Sequence, residues 1–352
     1  MIEAWLAGFV EQLPLAALFV IIAAALAILV KGADLFADEA VSLSVRWGVP
    51  KILIGATIVS VGTTLPEAAV SVLAAIQGAP GLALGNAVGS IIVDTGLVLG
   101  LAALVGRVPV DQTLVSRQSW IQLSSAVLLV LVSIPYLSLQ GIWTEGGKIS
   151  QGVGVGFLIL LVLYIWRSIA WSKDSPPEVV DDSTVHVNPD VKPAFAFFAL
   201  ILGILMVLVG SQVLIPAVEE TALRLHIPDA IIAATLIAFG TSLPELVTAL
   251  AAVRKGHGEL ALGNVLGADV LNVLFVSGAA TAVTRGGLDV PPQFFYLYFP
   301  SMLFVVFVLR IGIGRTSHQF SKRFGIVLVG AYLITIVSGY LIPGVSAAPG
   351  MP

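Results

Sequence analysis

Ten apolar runs, each long enough to cross a hydrocarbon layer of ~30 Å, follow one another along this chain with short polar, Gly-rich or Pro-rich breaks between them. They cover roughly 15–45, 52–77, 80–105, 119–139, 150–170, 194–224, 228–253, 259–282, 292–310 and 324–342. In lipid a helix satisfies its own backbone, so continuous apolar runs of this length are read as spanning helices. The predicted fold is all-α, a polytopic membrane protein with ten transmembrane helices. Composition agrees: 58% of the 352 residues are hydrophobic and 11% are charged, far from the balance of a soluble domain.

Basic residues suggest an orientation, because Lys and Arg are retained on the cytoplasmic side. The first dozen residues hold Glu3 and Glu11 but no Lys or Arg, unlike the start of a signal peptide, so the N-terminus is read as mature and non-cytoplasmic. With the N-terminus outside, thirteen basic residues fall in cytoplasmic loops and three, Lys148, Arg224 and Arg285, fall outside. Both termini are expected to be non-cytoplasmic, in a multi-pass protein of the cell inner (plasma) membrane. The six tryptophans, at positions 5, 47, 120, 143, 166 and 171, lie near predicted helix ends, as an interfacial belt would place them.

The chain also repeats itself. Shifting it by 178 residues brings Pro50–Gly100 onto Pro228–Gly278 with nineteen identities in fifty-one positions. GTTLPE (62–67) meets GTSLPE (240–245), and LALGNAVGS (82–90) meets LALGNVLGA (260–268). Residues 1–171 form one five-helix repeat, with its self-similar segment at about 50–104, and 193–352 form the second, with its matching segment at about 228–282. Five spans per half is odd, so the second copy enters the membrane from the other side, giving an inverted-topology repeat. Between them, 172–192 is acidic and Pro-containing and reads as a cytoplasmic linker.

Each LPE motif puts a glutamate in the middle of a span, where a charge costs roughly 2.5–3.5 kcal/mol on insertion scales. Pro66 denies the Gly62 carbonyl its helical donor, and Pro244 does the same to Gly240, so each helix should kink or open there. Thr63, Thr64 and Glu67 beside freed carbonyls make an all-oxygen cluster, and Thr241, Ser242 and Glu245 make its counterpart. Without Cys or a clustered His, such oxygens suit hard cations such as Ca2+, Na+ or Mg2+. On the following helix Asn86, Ser90 and Asp94 recur every four residues and share a face, as do Asn264, Ala268 and Asn272. Gly85, Gly89, Gly263 and Gly267 would let these helices approach their neighbours closely.

The paired GT[ST]LPE and ALGN-x-x-G-[SA] motifs resemble the two α-repeats of the cation/calcium exchanger superfamily, particularly prokaryotic sodium/calcium exchangers. KGADLFADEAVSL (31–43) and VGSQVLIPAVEET (209–221) are similar to that family's first and sixth helices. The resemblance implies ten helices with outward termini. It also implies a central cation site of Glu67, Glu245, Asp94 and Asn272, hydroxyl ligands at Thr63, Thr64, Thr241, Ser242 and Ser90, and backbone carbonyls from Ser60 and Ala238. Asn86, Asn264, Pro66 and Pro244 would support it, and the first and sixth helices would slide against the rest.

The chain departs from the family pattern in three places. Asp94 and Asn272 are exchanged between the repeats, Ala268 replaces a hydroxyl, and Asp269 is an additional intramembrane acid. Asp269 lies about 100° off the polar stripe and faces a neighbouring helix or side pocket, as either a proton or accessory cation site or a hydrogen-bonded structural acid.

The function expected is antiport of Ca2+ against Na+, with Ca2+/H+ antiport on the same scaffold as the alternative. Inorganic cations and the lipid bilayer are the expected partners, and neither a cofactor nor a nucleic-acid partner is expected. An enzyme is not expected: no Ser/His, Cys/His or carboxylate/His arrangement falls within the spans, and no P-loop GxxxxGK[ST] occurs. A passive channel would use similar helix breaks but would not need a counter-ion. Lys31 and Asp34, towards the cytoplasmic end of the first helix, are expected to pair with each other.

Overall fold

The computed structural model describes residues 8–136, 139–174, 193–225, 242–316 and 318–341. Trp5, most of the 172–192 linker and positions 238, 240 and 241 lie outside the described residues. The helices are α1 (Leu15–Trp47), α2 (Lys51–Ile76), α3 (Pro80–Val105), α4 (Leu114–Ser133), α5 (Gln151–Asp174), α6 (Pro193–Arg224), α7 (Leu243–Arg254), α8 (Gly258–Val283), α9 (Phe294–Gly314) and α10 (Lys322–Leu341). Among the described residues nine are long and apolar enough to cross a membrane. The exception, α7, is the described part of the 228–253 run. The protein is therefore an all-α polytopic membrane protein.

The sequence places the fourth span at 119–139, but the helix runs from Leu114 to Ser133. Polar side chains lengthen its start. Asp111 Oδ1 accepts from the amides of Thr113 (2.6 Å) and Leu114 (3.2 Å), Arg117 stacks over Trp171 with 5.5 Å to the ring centre, and Gln118 is buried. Pro135, which cannot continue a helical ladder, follows its end.

Two hairpins position the repeated motifs. Gly78, with φ of 77°, turns α2 into α3; Gly256, with φ of 83°, turns α7 into α8. Both conformations are left-handed, which glycine adopts without a Cβ penalty. After each turn an amide reaches back to the helix just ended, Ala79 to Ala74 O (2.9 Å) and His257 to Ala252 O (2.8 Å).

α8 is buried along nearly its whole length and presses on the start of α2. A Cβ on Gly263 would lie 2.2 Å from the Ile52 carbonyl oxygen, and one on Gly267 would lie 2.5 Å from Ala56 Cα. No comparable approach is found at Gly85 or Gly89 among the described residues. α1 and α6 form a second close pair, in which a Cβ on Gly32 would meet Met206 Cβ at 2.7 Å and one on Gly203 would meet Phe36 N at 2.8 Å. Their outer faces expose Phe19, Val20, Phe198 and Val209, as a lipid-facing pair would.

Backbone pairings brace both ends of α4. Strand β1 (Gly147–Ile149) pairs antiparallel with β2 (Leu288–Val290) at one end. At the other, the Val110 amide donates to His318 O (3.0 Å) and the Phe320 amide to Val108 O (2.9 Å). Asp34 does not pair with Lys31. Its partner is Lys255, whose ammonium reaches Asp34 Oδ1 at 3.5 Å, the Asp34 carbonyl at 3.0 Å and Asp38 Oδ2 at 2.7 Å. The packing of α7 against α1 brings that more distant lysine to the acids.

Gly267→Ala is expected to cost about 1–3 kcal/mol, the usual range for overpacking, because its methyl meets backbone that cannot step aside. Gly330→Ala, where no described atom lies within 4 Å of the added carbon, should leave the melting temperature unchanged or slightly raised. Thermal unfolding of the detergent-purified variants checks this contrast; equal melting temperatures would refute the tight α2–α8 contact.

Candidate cation site

The site begins in α2, which is not a uniform α-helix. At Gly55–Val59 it widens into a π-helical segment, then returns to α geometry from Ser60 to Ile76. Widening inserts a residue and leaves carbonyls without regular donors. The Tyr164 hydroxyl donates to the Ala56 carbonyl at 3.1 Å, and Ser60 Oγ donates to the Thr57 carbonyl at 3.2 Å. Of the kink or opening expected at Pro66, no opening is found: Pro66 sits inside a continuous helix. The irregularity lies before the motif, where Gly263 and Gly267 press on the backbone. Pro66 still leaves the Gly62 carbonyl without its helical amide donor.

Thr63 Oγ1 donates back to the Val59 and Ser60 carbonyls at 3.3 and 3.4 Å. Thr64 Oγ1 is buried without a hydrogen-bond partner among the described residues, and so are both carboxylate oxygens of Glu67, a residue 1% exposed.

The second motif is built differently. α7 starts at Leu243, so Pro244 and Glu245 occupy its first turn, where proline is tolerated. The Ser242 hydroxyl and Glu245 Oε2 are buried and lack hydrogen-bond partners among the described residues. Thr241 and Ala238 lie outside the described residues.

On α3, Asn86 donates to the Glu67 carbonyl at 3.0 Å and to Ser71 Oγ at 2.9 Å, tying the polar stripe to the motif helix. Ser90 Oγ and Asp94 Oδ1 are buried without partners. Asp94 lies in a π-helical segment, Val93–Val98, and Asn272 opens the matching segment Asn272–Ser277 in α8. Among the described residues Asn272 Oδ1 has no partner, and neither does the carboxamide of Asn264. The residue that corresponds to Ser71 by the 178-residue shift is Ala249, which has no oxygen to offer.

These groups converge. Glu67 and Asp94 are close enough for their charges to repel, and Glu245 feels both. Ser242 lies beside Asp94, and Thr63 beside Glu245, so each repeat sets a hydroxyl against the other's acid. Among the described residues no three acidic or histidine side chains close into a ready metal cage. A hard cation held here would need hydroxyl and carbonyl oxygens as well as carboxylates.

Sequence reasoning left Asp269 between a structural and a cation-handling role, and the structure supplies its surroundings. Its Oδ2 accepts from the Thr95 hydroxyl on α3 and from Gln122 Nε2 on α4, and Gln122 Nε2 also reaches Thr95 Oγ1 at 3.0 Å. Thr95, Gln122, Gln118 and Tyr164 were not singled out from the sequence. The available signal was Gln118 and Gln122, four apart in an otherwise apolar span. Gln118 Oε1 lies 3.1 Å from the same Tyr164 hydroxyl, whose single proton is shared between it and the Ala56 carbonyl, linking α4 to the tyrosine that serves the widened part of α2.

Comparison with known proteins fits this geometry. The family described as "Sodium/calcium exchanger protein" matches residues 17–170 and 195–340. The chain belongs to that family. This sodium/calcium exchanger family member is 31% identical over 343 residues to the sodium/calcium exchanger MaX1 of Methanosarcina acetivorans, a match covering 91% of this chain and 97% of MaX1. It is 31% identical over 319 residues to the inner membrane protein YrbG of Escherichia coli, covering 90% and 94% of the two chains. Among solved structures, the sodium-calcium exchanger NCX_Mj soaked with 10 mM Na+ and zero Ca2+ superposes with a TM-score of 0.75 at 28% identity, covering 92% of this chain and 99% of that one.

Asn86→Leu in this family member should lower stability by about 1–3 kcal/mol, because it removes both bonds and strands the Ser71 hydroxyl. Asn264→Leu, which removes a carboxamide with no partner, should be neutral or stabilising. Thermal unfolding of both variants tests the asymmetry; equal losses would count against it.

Proposed function

We propose that the protein is a secondary active antiporter that exchanges Ca2+ for Na+ by alternating access to one mid-membrane site. The observation that carries this reading is the set of buried oxygens without partners on Glu67, Glu245, Asp94, Asn272, Thr64, Ser90 and Ser242, contributed by four helices. Glu67, Glu245 and Asp94 supply the charge. Asn272 and the hydroxyls of Thr63, Thr64, Thr241, Ser242 and Ser90 supply neutral oxygens, and Ser60 and Ala238 supply carbonyls. The halves 1–171 and 193–352 act as inverted repeats, in the plasma membrane with both termini outside.

The coupling follows from electrostatics. Three carboxylates facing one another in a low-dielectric interior repel strongly and cannot be moved across the membrane empty. Ca2+ neutralises most of that charge, and so do several Na+ ions. The α1–α6 pair slides against the other helices once the charge is compensated and stays in place when it is not. Names of relatives support the choice of ions: MaX1 and NCX_Mj are each called sodium/calcium exchangers.

A second reading, Ca2+/H+ antiport, is favoured by Asp269, a further buried acid. In reconstituted vesicles, Ca2+ uptake driven by a Na+ gradient at clamped pH is the expected outcome. Uptake that needs only a pH gradient would favour the second reading.

Glu67→Gln and Glu245→Gln keep size and hydrogen-bonding capacity while removing one charge each. Either is expected to cut Na+-driven Ca2+ uptake by at least a hundredfold, equivalent to about 2.7 kcal/mol at 1.36 kcal/mol per decade. Near-normal flux in both variants would sink the assignment of the central site.

A further inference from the structure

Asp269, Gln122 and Thr95 stand together outside the ligand set proposed above and come from three different helices, α8, α4 and α3. All three residues are at most 1% exposed. Their hydrogen bonds run one way. The Thr95 hydroxyl and Gln122 Nε2 both donate to Asp269 Oδ2, so the chain's own donors are spent on one of the two carboxyl oxygens. The cluster's remaining buried, unpartnered side-chain atoms are acceptors alone. Asp269 Oδ1 and Gln122 Oε1 are buried with no hydrogen-bond partner among the described residues, and neighbouring Asp94 adds a further unpartnered oxygen, Oδ1. No Lys, Arg or His bonds to Asp269 among the described residues, and the charge it feels most is that of Asp94, of the same sign. A buried carboxyl held in an acceptor-only corner needs either a proton or a cation to offset it, and the two unpartnered oxygens, on separate side chains, offer a cation two ligands at once.

We infer that Asp269 Oδ1 and Gln122 Oε1, with Asp94 at its edge, form an accessory site for a monovalent cation, Na+, beside the central carboxylates. The inference rests on the Na+/Ca2+ reading of the central site and extends it. A monovalent ion suits the cluster because a single carboxylate faces it directly with neutral oxygen beside it, and Thr95 and the Gln122 amide already occupy the opposite oxygen. Binding here adds a positive charge next to Asp94, so occupancy of the accessory site eases the repulsion among the central acids.

The test separates the two sites. The full-length protein carrying Glu67→Gln and Glu245→Gln, purified in detergent, is titrated with NaCl against equal concentrations of N-methyl-D-glucamine chloride while its melting temperature is followed. A saturable, Na+-specific rise in melting temperature is expected in this background. It should be lost when Asp269→Asn is added, with at least a tenfold weaker Na+ dependence when Gln122→Leu is added instead. Gln122→Leu guards against an Asp269→Asn variant that fails to fold, since monodisperse elution identifies usable protein in either case.

No Na+ effect in the double variant overturns the inference, and so does an unchanged Na+ effect after either addition. Stabilisation that grows with acid and ignores Na+ also overturns it, by making the counter-ion a proton. Failure of the central reading would appear elsewhere, as the absence of Na+-driven 45Ca2+ uptake by the unaltered protein in vesicles.

Discussion

Carboxylates buried without cationic side chains are the constraint on which the rest of this structure depends. Glu67, Asp94, Glu245 and Asp269 are each 1% exposed, and no Lys or Arg pairs with any of them among the described residues. Taking a single ion out of water costs several kcal/mol even after relaxation. A chain that gathers four acids must therefore keep them protonated or give cations access to them, and must hold oriented oxygens and supporting helices around them. The tight crossing of α8 on α2, made by Gly263 and Gly267, sets the distance between one repeat's motif and the other's polar stripe. The two glycine turns at 78 and 256 then fix each stripe beside its own motif.

Three of the four π-helical segments among the described residues fall at or next to site oxygens; the fourth, Phe294–Tyr298, opens α9. The π-helical segments in α2, α3 and α8 lie next to Ser60, at Asp94 and at Asn272. Each inserted residue turns the following side chains by about a third of a turn and loosens a carbonyl from the helical ladder. That geometry is costly unless something else satisfies the freed group. At Ala56 the tyrosine hydroxyl of α5 does so, and Gln118 and Ser168 extend the network into the surrounding helices. The widened segment of α2 thus has a neighbour built to support it.

Nine of the spans, the repeated motifs and the buried oxygens of Glu67, Asp94, Glu245 and Asn272 were legible in the sequence because each has a one-dimensional signature: a run, a shift, a spacing. What was not legible depends on neighbours. Pro66 reads as a helix breaker, yet its helix is unbroken, because the distortion is placed earlier by glycines on α8 that lie about two hundred residues away. Asn86 and Asn264 read as equivalent, yet only Asn86 is bonded, because Ser71 has Ala249 as its counterpart. Gln122 reads as one polar residue in an apolar span, and its role depends on Asp269, which another helix brings to it. The fourth span was set too late for the same reason: Arg117 and Gln118 look like a polar boundary until Trp171 and Tyr164 are seen beside them.

The tethers on α1 bear on how an exchanger of this shape can move. At one end Arg224 of α6 pairs with Glu220 at 2.5 Å and donates to the carbonyls of Leu13 at 2.5 Å and Glu11 at 2.7 Å, so α6 is joined to the chain entering α1. Glycine-mediated packing continues that union along both helices. At the other end Lys255, just beyond α7, binds Asp34 and Asp38 of α1 and so joins the pair to the rest of the bundle. Asp34 and Asp38 are more than half exposed, and exposed ion pairs contribute only about 0.2–1 kcal/mol. The bonds within the α1–α6 pair are therefore the more durable, and those between the pair and the bundle the more readily broken. Under the alternating access proposed above, that ordering would let the two helices travel as a unit: a slide between pair and bundle would give up the Lys255 contacts and keep the glycine seam intact.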